Sequence, residues 1–246
     1  MRAFVLAAGF GTRLEPLTLE RPKPLVLVAG IPFICYSLAL LKEAGVDSIV
    51  CNLHYRPGDI MDFFRRNGDF GFQVDFSMEE NILGTGGGIK RCESLFSGGP
   101  FLLMNSDIIM DMDVKALISH HESSRHENTV VLCRAESGEA TVSVEGDGVM
   151  DFRNSLGTGL AATHDYTGAA ILSSSIFPFL ETGFSSVVYT GFTGLISHLS
   201  LGYYEHRGLW MDAGTPESLA LAEEYLSGEG AHLRERVLGA LGPITP

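Results

Sequence analysis

Three groups of residues in this chain could do chemistry. The first lies near the start, where an apolar run at 3–8 breaks into Gly9-Phe10-Gly11-Thr12-Arg13 and Lys23 follows between Pro22 and Pro24. A strand that feeds a glycine-rich loop offers free backbone N–H groups, and two cations add positive charge, which suits a triphosphate. The second group is Asp107, just past the apolar run 101–104, and Asp212, within Trp210-Met-Asp-Ala-Gly-Thr-Pro216. Each falls at the carboxyl end of a predicted strand, where ligands of parallel sheets gather. Two carboxylates brought together there could hold a hard divalent cation, with phosphate oxygens and water completing its shell. Each taken alone could equally cap a loop or a helix. The third group is the run E-N-I-L-G-T-G-G-G-I at 80–89. Its three consecutive glycines either leave room for a flat ring or form a connection that caps the following helix.

Other phosphate loops do not fit. In the dinucleotide fingerprint G-x-G-x-x-G the third glycine would fall at Leu14, and no G-x-x-x-x-G-K-S/T occurs in the chain. The net charge of −13 argues against nucleic acid as a partner. The first 24 residues nonetheless hold four cations against two carboxylates, so the rest carries −15. No run of eighteen apolar residues is present, so no membrane span is expected. The run 3–8 is too short for a signal-peptide core. Cys35, Cys51, Cys92 and Cys133 are widely spaced in apolar surroundings, the pattern of buried free thiols in a cytoplasmic protein.

These residues need elements to position them. Strands are predicted at 2–7, 46–52, 72–77, 100–104, 129–134, 141–145, 166–172 and 202–206. Helices are predicted near 32–44, 57–66, 85–95, 113–124, 190–199 and 215–226. Strand–helix alternation in the first half implies an α/β fold, a mixed but mostly parallel sheet flanked by helices. Gly45 is placed to end one helix, and Thr215 to cap another ahead of Pro216. Short strands and glycine turns, Gly138 among them, imply an antiparallel insertion at about 130–165, over the active-site edge of the sheet, with a loop at 153–165. One domain is expected over 1–226. A short tail, 227–246, has Leu233, Val237, Leu238 and Leu241 at helical spacing.

The string L-A-A-G-F-G-T-R-L-E-P-L-T with a downstream P-K-P resembles the sugar-1-phosphate nucleotidyltransferases. So do N-S-D at 105–107, L-G-T-G-G at 83–87 and W-M-D-A-G-T-P at 210–216. The resemblance covers 1–226 and implies the Rossmann-like fold of that family. It implies transfer of a nucleoside monophosphate from a nucleoside triphosphate to a sugar 1-phosphate, giving pyrophosphate and a nucleotide sugar for cell-wall or surface-glycan metabolism. By the same resemblance Asp107 and Asp212 are magnesium ligands, and Arg13 and Lys23 are catalytic. Ala7, Ala8, Gly9, Gly11, Thr12 and Arg13 hold the nucleotide, together with Gly84, Thr85, Gly86 and Asn105. Thr167, Gly168 and Asn154 belong to the sugar side. Ser106 stands where many members have glycine, and Asp151-Phe-Arg-Asn154 where many have E-K-P, which leaves the sugar open. The short single-domain members are the nearest in kind, N-acetylmuramate 1-phosphate uridylyltransferases and mannose- or heptose-1-phosphate guanylyltransferases. They lack the left-handed β-helix of longer relatives. Chain length, His54 and Trp210-Met-Asp lean towards the muramate type. Two other functions stay open: cytidylyl transfer to a phosphorylated alcohol such as phosphocholine, and a catalytically silent subunit that binds nucleotide sugars.

Overall fold

The computed structural model describes residues 1–96, 98–135 and 140–246, so the turn expected at Gly138 lies outside the described residues. In chain order the elements are β1 (Arg2–Leu6), α1 (Leu17–Glu20), β2 (Leu27–Val28), β3 (Ile31–Pro32), α2 (Phe33–Glu43), β4 (Ser48–Leu53) and α3 (Pro57–Arg66). Then come β5 (Gln73–Met78), α4 (Gly84–Arg91), β6 (Phe101–Asn105), β7 (Ile108–Met110), α5 (Val114–Ser123) and β8 (Asn128–Arg134). The chain ends with β9 (Val142–Glu145), β10 (Gly148–Phe152), β11 (His164–Leu172), α6 (Thr193–Ser197), β12 (Leu201–His206), β13 (Trp210–Asp212), α7 (Pro216–Ser227) and α8 (Ala231–Leu241). Among the described residues no helix is long and apolar enough to cross a membrane.

These elements form two compact units. A terminal unit holds Val5–Glu80, Met104–Val114 and Gly208–Pro246; a middle unit holds Met1–Phe4, Asn81–Leu103 and Lys115–Arg207. The chain passes from one unit to the other inside β1 and again inside β6.

In the terminal unit β4 pairs with β5 in parallel, from Ser48 opposite Gln73 to Leu53 opposite Met78. Helix α3 is their crossover, as a strand–helix–strand pattern requires. It starts on Pro57 and buries Ile60, Phe63 and Phe64. Asp59 in its first turn and Arg65 and Arg66 in its last complement the helix dipole. Helix α2 buries Phe33 to Leu41, and the chain turns at Gly45 with φ 80°. Helix α7 starts in a capping box, with Thr215 and Ser218 each accepting from the other's main chain. Helix α8 buries Leu233 and Val237. Arg236 on α8 grips Glu43 with two nitrogens and donates to the carbonyls of Asp111 (2.9 Å) and Met112 (3.0 Å).

In the middle unit β8 lies between β11, antiparallel, and β12, parallel, and β10 pairs antiparallel with both β12 and β9. Its core sets Phe96 at a tilt against Phe101, with ring centres 4.3 Å apart, and Phe177 nearly parallel to Phe101 at 6.1 Å. The helix expected at 190–199 is a π-helical turn, Val187–Phe192, running into α6. Side chains at Gly191 and Gly194 would collide with Leu180 and Phe179, so close packing sets the geometry of this stretch. The helix expected at 85–95 stops at Arg91, and a 3-10 turn takes Glu93–Leu95. All four cysteines are buried, and none forms a disulfide. Burial pushes the Cys51 thiol up to about 12 and the Cys35 thiol higher still, which keeps both unreactive.

Candidate functional site

The phosphate-loop residues, both aspartates and both cations lie in the terminal unit. Strand β1 delivers Ala7 and Ala8, both buried, into the glycine loop. The Ala7 N–H donates to Asn52 Oδ1 at 2.9 Å. The next four amides, of Ala8, Gly9, Phe10 and Gly11, have no partner among the described residues. No described atom lies within 4 Å of where a side chain on Gly9 would begin. Gly11 has φ 71°, a left-handed conformation that favours glycine. A Cβ there would stand 2.8 Å from Lys23 Cβ and 2.9 Å from Thr18 Cγ2. The loop therefore closes directly onto the turn that carries Lys23. Thr18 Oγ1 and the Leu14 N–H both donate to the Gly11 carbonyl, which sets up the short turn Thr12–Leu14 and leaves Arg13 exposed.

Lys23 sits in a 3-10 turn between two prolines and is 8% exposed. Its ammonium forms an ion pair with Asp107 Oδ2. Asp107 occupies the turn between β6 and β7, which Ser37 Oγ fastens by donating to the Asn105 carbonyl (2.6 Å) and the Ser106 N–H by donating to the Leu6 carbonyl (3.2 Å). Strand β7 pairs with β13 so that Ile108 faces Asp212. Asp107 and Asp212 thus emerge at the same end of one two-stranded ladder. Gly214 lies beside Asp212 and Arg13. A Cβ there would stand 2.8 Å from both Arg13 Nη2 and Asp212 Oδ1. Both charged groups use the space that glycine leaves.

The donor set suits magnesium. That ion is commonly held by one or two carboxylates, with substrate phosphates and water filling the octahedron. Among the described residues no cluster of three or more histidine, cysteine or acidic side chains is placed to hold a metal. The carboxylate of Asp107 already meets a cation, the Lys23 ammonium.

The third glycine group is in the middle unit and is packed shut. Gly84, with φ 68°, opens α4, and a Cβ on it would fall 2.4 Å from the Ser185 carbonyl oxygen. Those on Gly86 and Gly87 would fall 2.6 Å from Ser185 Oγ and 2.1 Å from the Gly183 carbonyl oxygen. The Gly86 N–H donates to the Ser185 carbonyl, and Thr85 Oγ1 accepts from the Val187 N–H. On the expected sugar side, Thr167 Oγ1 donates to the Val131 carbonyl at 3.0 Å, and Gly168 has φ 88° inside an irregular stretch of β11. Asn154 has φ 53° and its Oδ1 accepts from the Gly159 N–H. The loop after β10 wraps around the carboxylate of Asp151, which accepts from the N–H groups of Leu156 and Thr158 and the hydroxyls of Ser155 and Thr158. Burial pushes that carboxyl up, but these hydrogen bonds outweigh it and hold it below the usual range.

Sequence reasoning missed Asn52, Gly214 and Asp151. Gly214 lies inside a motif already singled out. Asn52, a polar residue in the apolar run 49–53, was the only sequence signal for a buried tether. Three of the histidines bond locally: His120 Nε2 donates to the Tyr203 carbonyl, His121 bonds Thr129 Oγ1, and His54 Nδ1 donates to the Glu79 carbonyl.

A fold of this kind, with a glycine loop, a lysine–aspartate pair and a second aspartate, defines a class of nucleotide-handling protein. Residues 2–155 match the family model described as nucleotidyl transferase, and the chain belongs to that family. It is 32% identical over 241 residues to a mannose-1-phosphate guanyltransferase of Gibberella zeae, and 30% identical over 241 residues to mannose-1-phosphate guanyltransferase 2 of Candida glabrata. Each match covers 95% of this chain, but the chain spans only 64% and 65% of those relatives. A solved structure described as a glucose-1-phosphate thymidylyltransferase from Bacillus anthracis superposes with a TM-score of 0.81 at 20% identity, covering 93% of this chain and 96% of that one. HddC from Yersinia pseudotuberculosis superposes at 0.74 with 24% identity, covering 92% and 99%. These likenesses show that the α/β fold is shared.

Proposed function

We propose that the chain is a magnesium-dependent nucleotidyltransferase that moves GMP from GTP to a mannose-type sugar 1-phosphate and releases pyrophosphate. The observation that carries this reading is the terminal unit's arrangement: four unpaired loop amides, Arg13 and the Lys23–Asp107 pair, with Asp212 at the same strand end. The guanyltransferase relatives favour GTP and mannose 1-phosphate over the muramate-type pair that the sequence details favour.

In the reaction a phosphate oxygen of the sugar 1-phosphate forms a bond to the α-phosphorus. The bond from that phosphorus to the bridging oxygen breaks, and pyrophosphate leaves with the electron pair. The attacking phosphate is already ionised at neutral pH, so positioning and charge neutralisation carry the catalysis. The amides of Ala8 to Gly11 and the Arg13 guanidinium hold the β- and γ-phosphates and stabilise the leaving group. Lys23 leaves Asp107 and sets its ammonium between the α-phosphate and the incoming anion. Asp107 and Asp212 would hold magnesium, which would supply positive charge against the phosphates. Gly84, Thr85 and Gly86, which the resemblance gives to base and ribose, are packed against Ser185 and Val187, so no step of this reading is routed through them.

The test is pyrophosphate release with magnesium across GTP, UTP, CTP and dTTP. Each is paired with mannose, glucose, muramate and heptose 1-phosphates and with phosphocholine. Turnover with GTP and mannose 1-phosphate, lost in Asp107→Asn, is the expected result. Turnover with another pair corrects the substrates and keeps the reaction. Nucleotide binding without turnover across the panel sinks the enzyme reading and points to a silent binding subunit.

A further inference from the structure

Asn52 stands at the end of β4, whose neighbouring members Ile49, Val50, Cys51 and Leu53 are fully buried and apolar. An amide in such a strand is costly unless both its polar atoms are bonded. Both are. Oδ1 accepts the Ala7 N–H at 2.9 Å, and Nδ2 donates to Glu79 Oε1 at 2.7 Å. Glu79 follows β5 directly and is itself buried. Its main-chain carbonyl takes the Nδ1–H of His54, whose ring meets Phe10 edge-on with centres 5.2 Å apart. The start of the glycine loop, at Ala7, and its tip, at Phe10, are thus both held by residues that end β4 and β5. The amides from Ala8 to Gly11 have no partner among the described residues.

We propose that Asn52 is a positioning residue for the phosphate loop. By taking the Ala7 amide it ends the strand one residue before the open stretch and aims the next four N–H groups at the triphosphate. The Ala7 amide is then not one of the phosphate donors. This rests on the reading that the loop holds a triphosphate.

The test is titration of the whole chain with a non-hydrolysable GTP analogue. Asn52→Asp keeps an acceptor for Ala7 but sets a second carboxylate against Glu79. It weakens analogue binding roughly tenfold and leaves the KM for the sugar phosphate unchanged. The double variant Asn52→Asp, Glu79→Gln restores both hydrogen bonds with donor and acceptor exchanged, and recovers near wild-type binding. A residue that only stabilised the fold would shift the melting temperature and leave analogue affinity alone. A single variant that binds like wild type, or a double variant as weak as the single, overturns the proposal. Amide exchange in ligand-free wild type is a second check that needs no variant to fold. The Ala7 amide should exchange more slowly than those of Ala8 to Gly11, and equal rates overturn the proposal. Wild type that binds none of the four nucleoside triphosphates overturns the phosphate reading itself, whereas tight binding by wild type and Asn52→Asp alike overturns only the positioning.

Discussion

Two glycine stretches of similar composition do opposite things. At Gly9 the chain leaves space: no described atom lies within 4 Å of where a side chain would begin, and the four amides from Ala8 to Gly11 have no partner among the described residues. At 84–87 the chain fills it, with the carbonyl oxygens of Gly183 and Ser185 and the hydroxyl of Ser185 standing where side chains would begin. Gly9 leaves its surroundings open, whereas the second stretch gives its space to a neighbouring main chain. One stretch leads into a helical turn and the other forms the first turn of a helix, so local pattern alone does not separate them. Their partners in space do.

The largest expected effects test the open stretch and its charges. Asp107→Asn, Asp212→Asn and Lys23→Ala should each lower turnover about 100- to 1000-fold, or roughly 3–4 kcal/mol, because each removes a charge-stabilising group. Steady-state kinetics on folded variants is the check, and near wild-type turnover in any one removes that residue from the site. Next comes a direct contrast between the glycines. Gly87→Ala forces a Cβ against the Gly183 carbonyl and should cost about 1–3 kcal/mol of stability. Gly9→Ala meets no described atom, so stability should stay within about 0.5 kcal/mol, while affinity for nucleoside triphosphate falls. Chemical denaturation beside nucleotide titration reads both. If Gly9→Ala destabilises as much as Gly87→Ala, the contrast fails. A smaller effect concerns the α7 cap, three residues after Asp212: Thr215→Ala should cost about 1 kcal/mol, read by thermal melting.

Much of this was legible in the sequence because local rules determine it. Thr215 and Pro216 start α7 as side-chain capping and a preset φ require, and Gly45 turns the chain with positive φ after α2. The eight strands anticipated from apolar runs appear within a few residues. The short strands β7 and β13 escaped notice, although their pairing brings Asp107 and Asp212 to one end. Three-residue strands carry too little periodicity to be seen, and their partners are about a hundred positions apart. Helix α8 showed as four apolar residues at helical spacing, but its attachment through Arg236 to Glu43 and the turn after β7 was not visible. The Asn52 tether was hidden for the same reason, since a buried hydrogen bond between distant residues leaves no spacing to read.

The smallest effect comes from the loop after β10, where Asp151 collects N–H and O–H groups much as a phosphate would at Ala8 to Gly11. The difference is that the middle unit supplies its own anion. The Asp151 carboxyl is held below its ordinary value, against the pull of burial, by bonds from Leu156, Thr158 and Ser155. A carboxyl lowered in the folded state adds stability above its unfolded value of about 3.9, and that stability is lost as pH falls through the folded value. Between pH 7 and about 5 the loop should therefore be indifferent to pH, and below about 4 it should loosen. Faster exchange of the Leu156 and Thr158 amides in acid would report this. Asp151→Asn should raise both exchange rates at neutral pH and flatten their acid dependence, because the amide carries no charge and sets its own N–H groups against those of the loop. The open amides of Ala8 to Gly11 should behave in the opposite way, exchanging fast at neutral pH and slowing only when a triphosphate is added. If the two loops respond alike to acid and to nucleotide, the distinction between a loop built around its own anion and one built to receive an anion is lost.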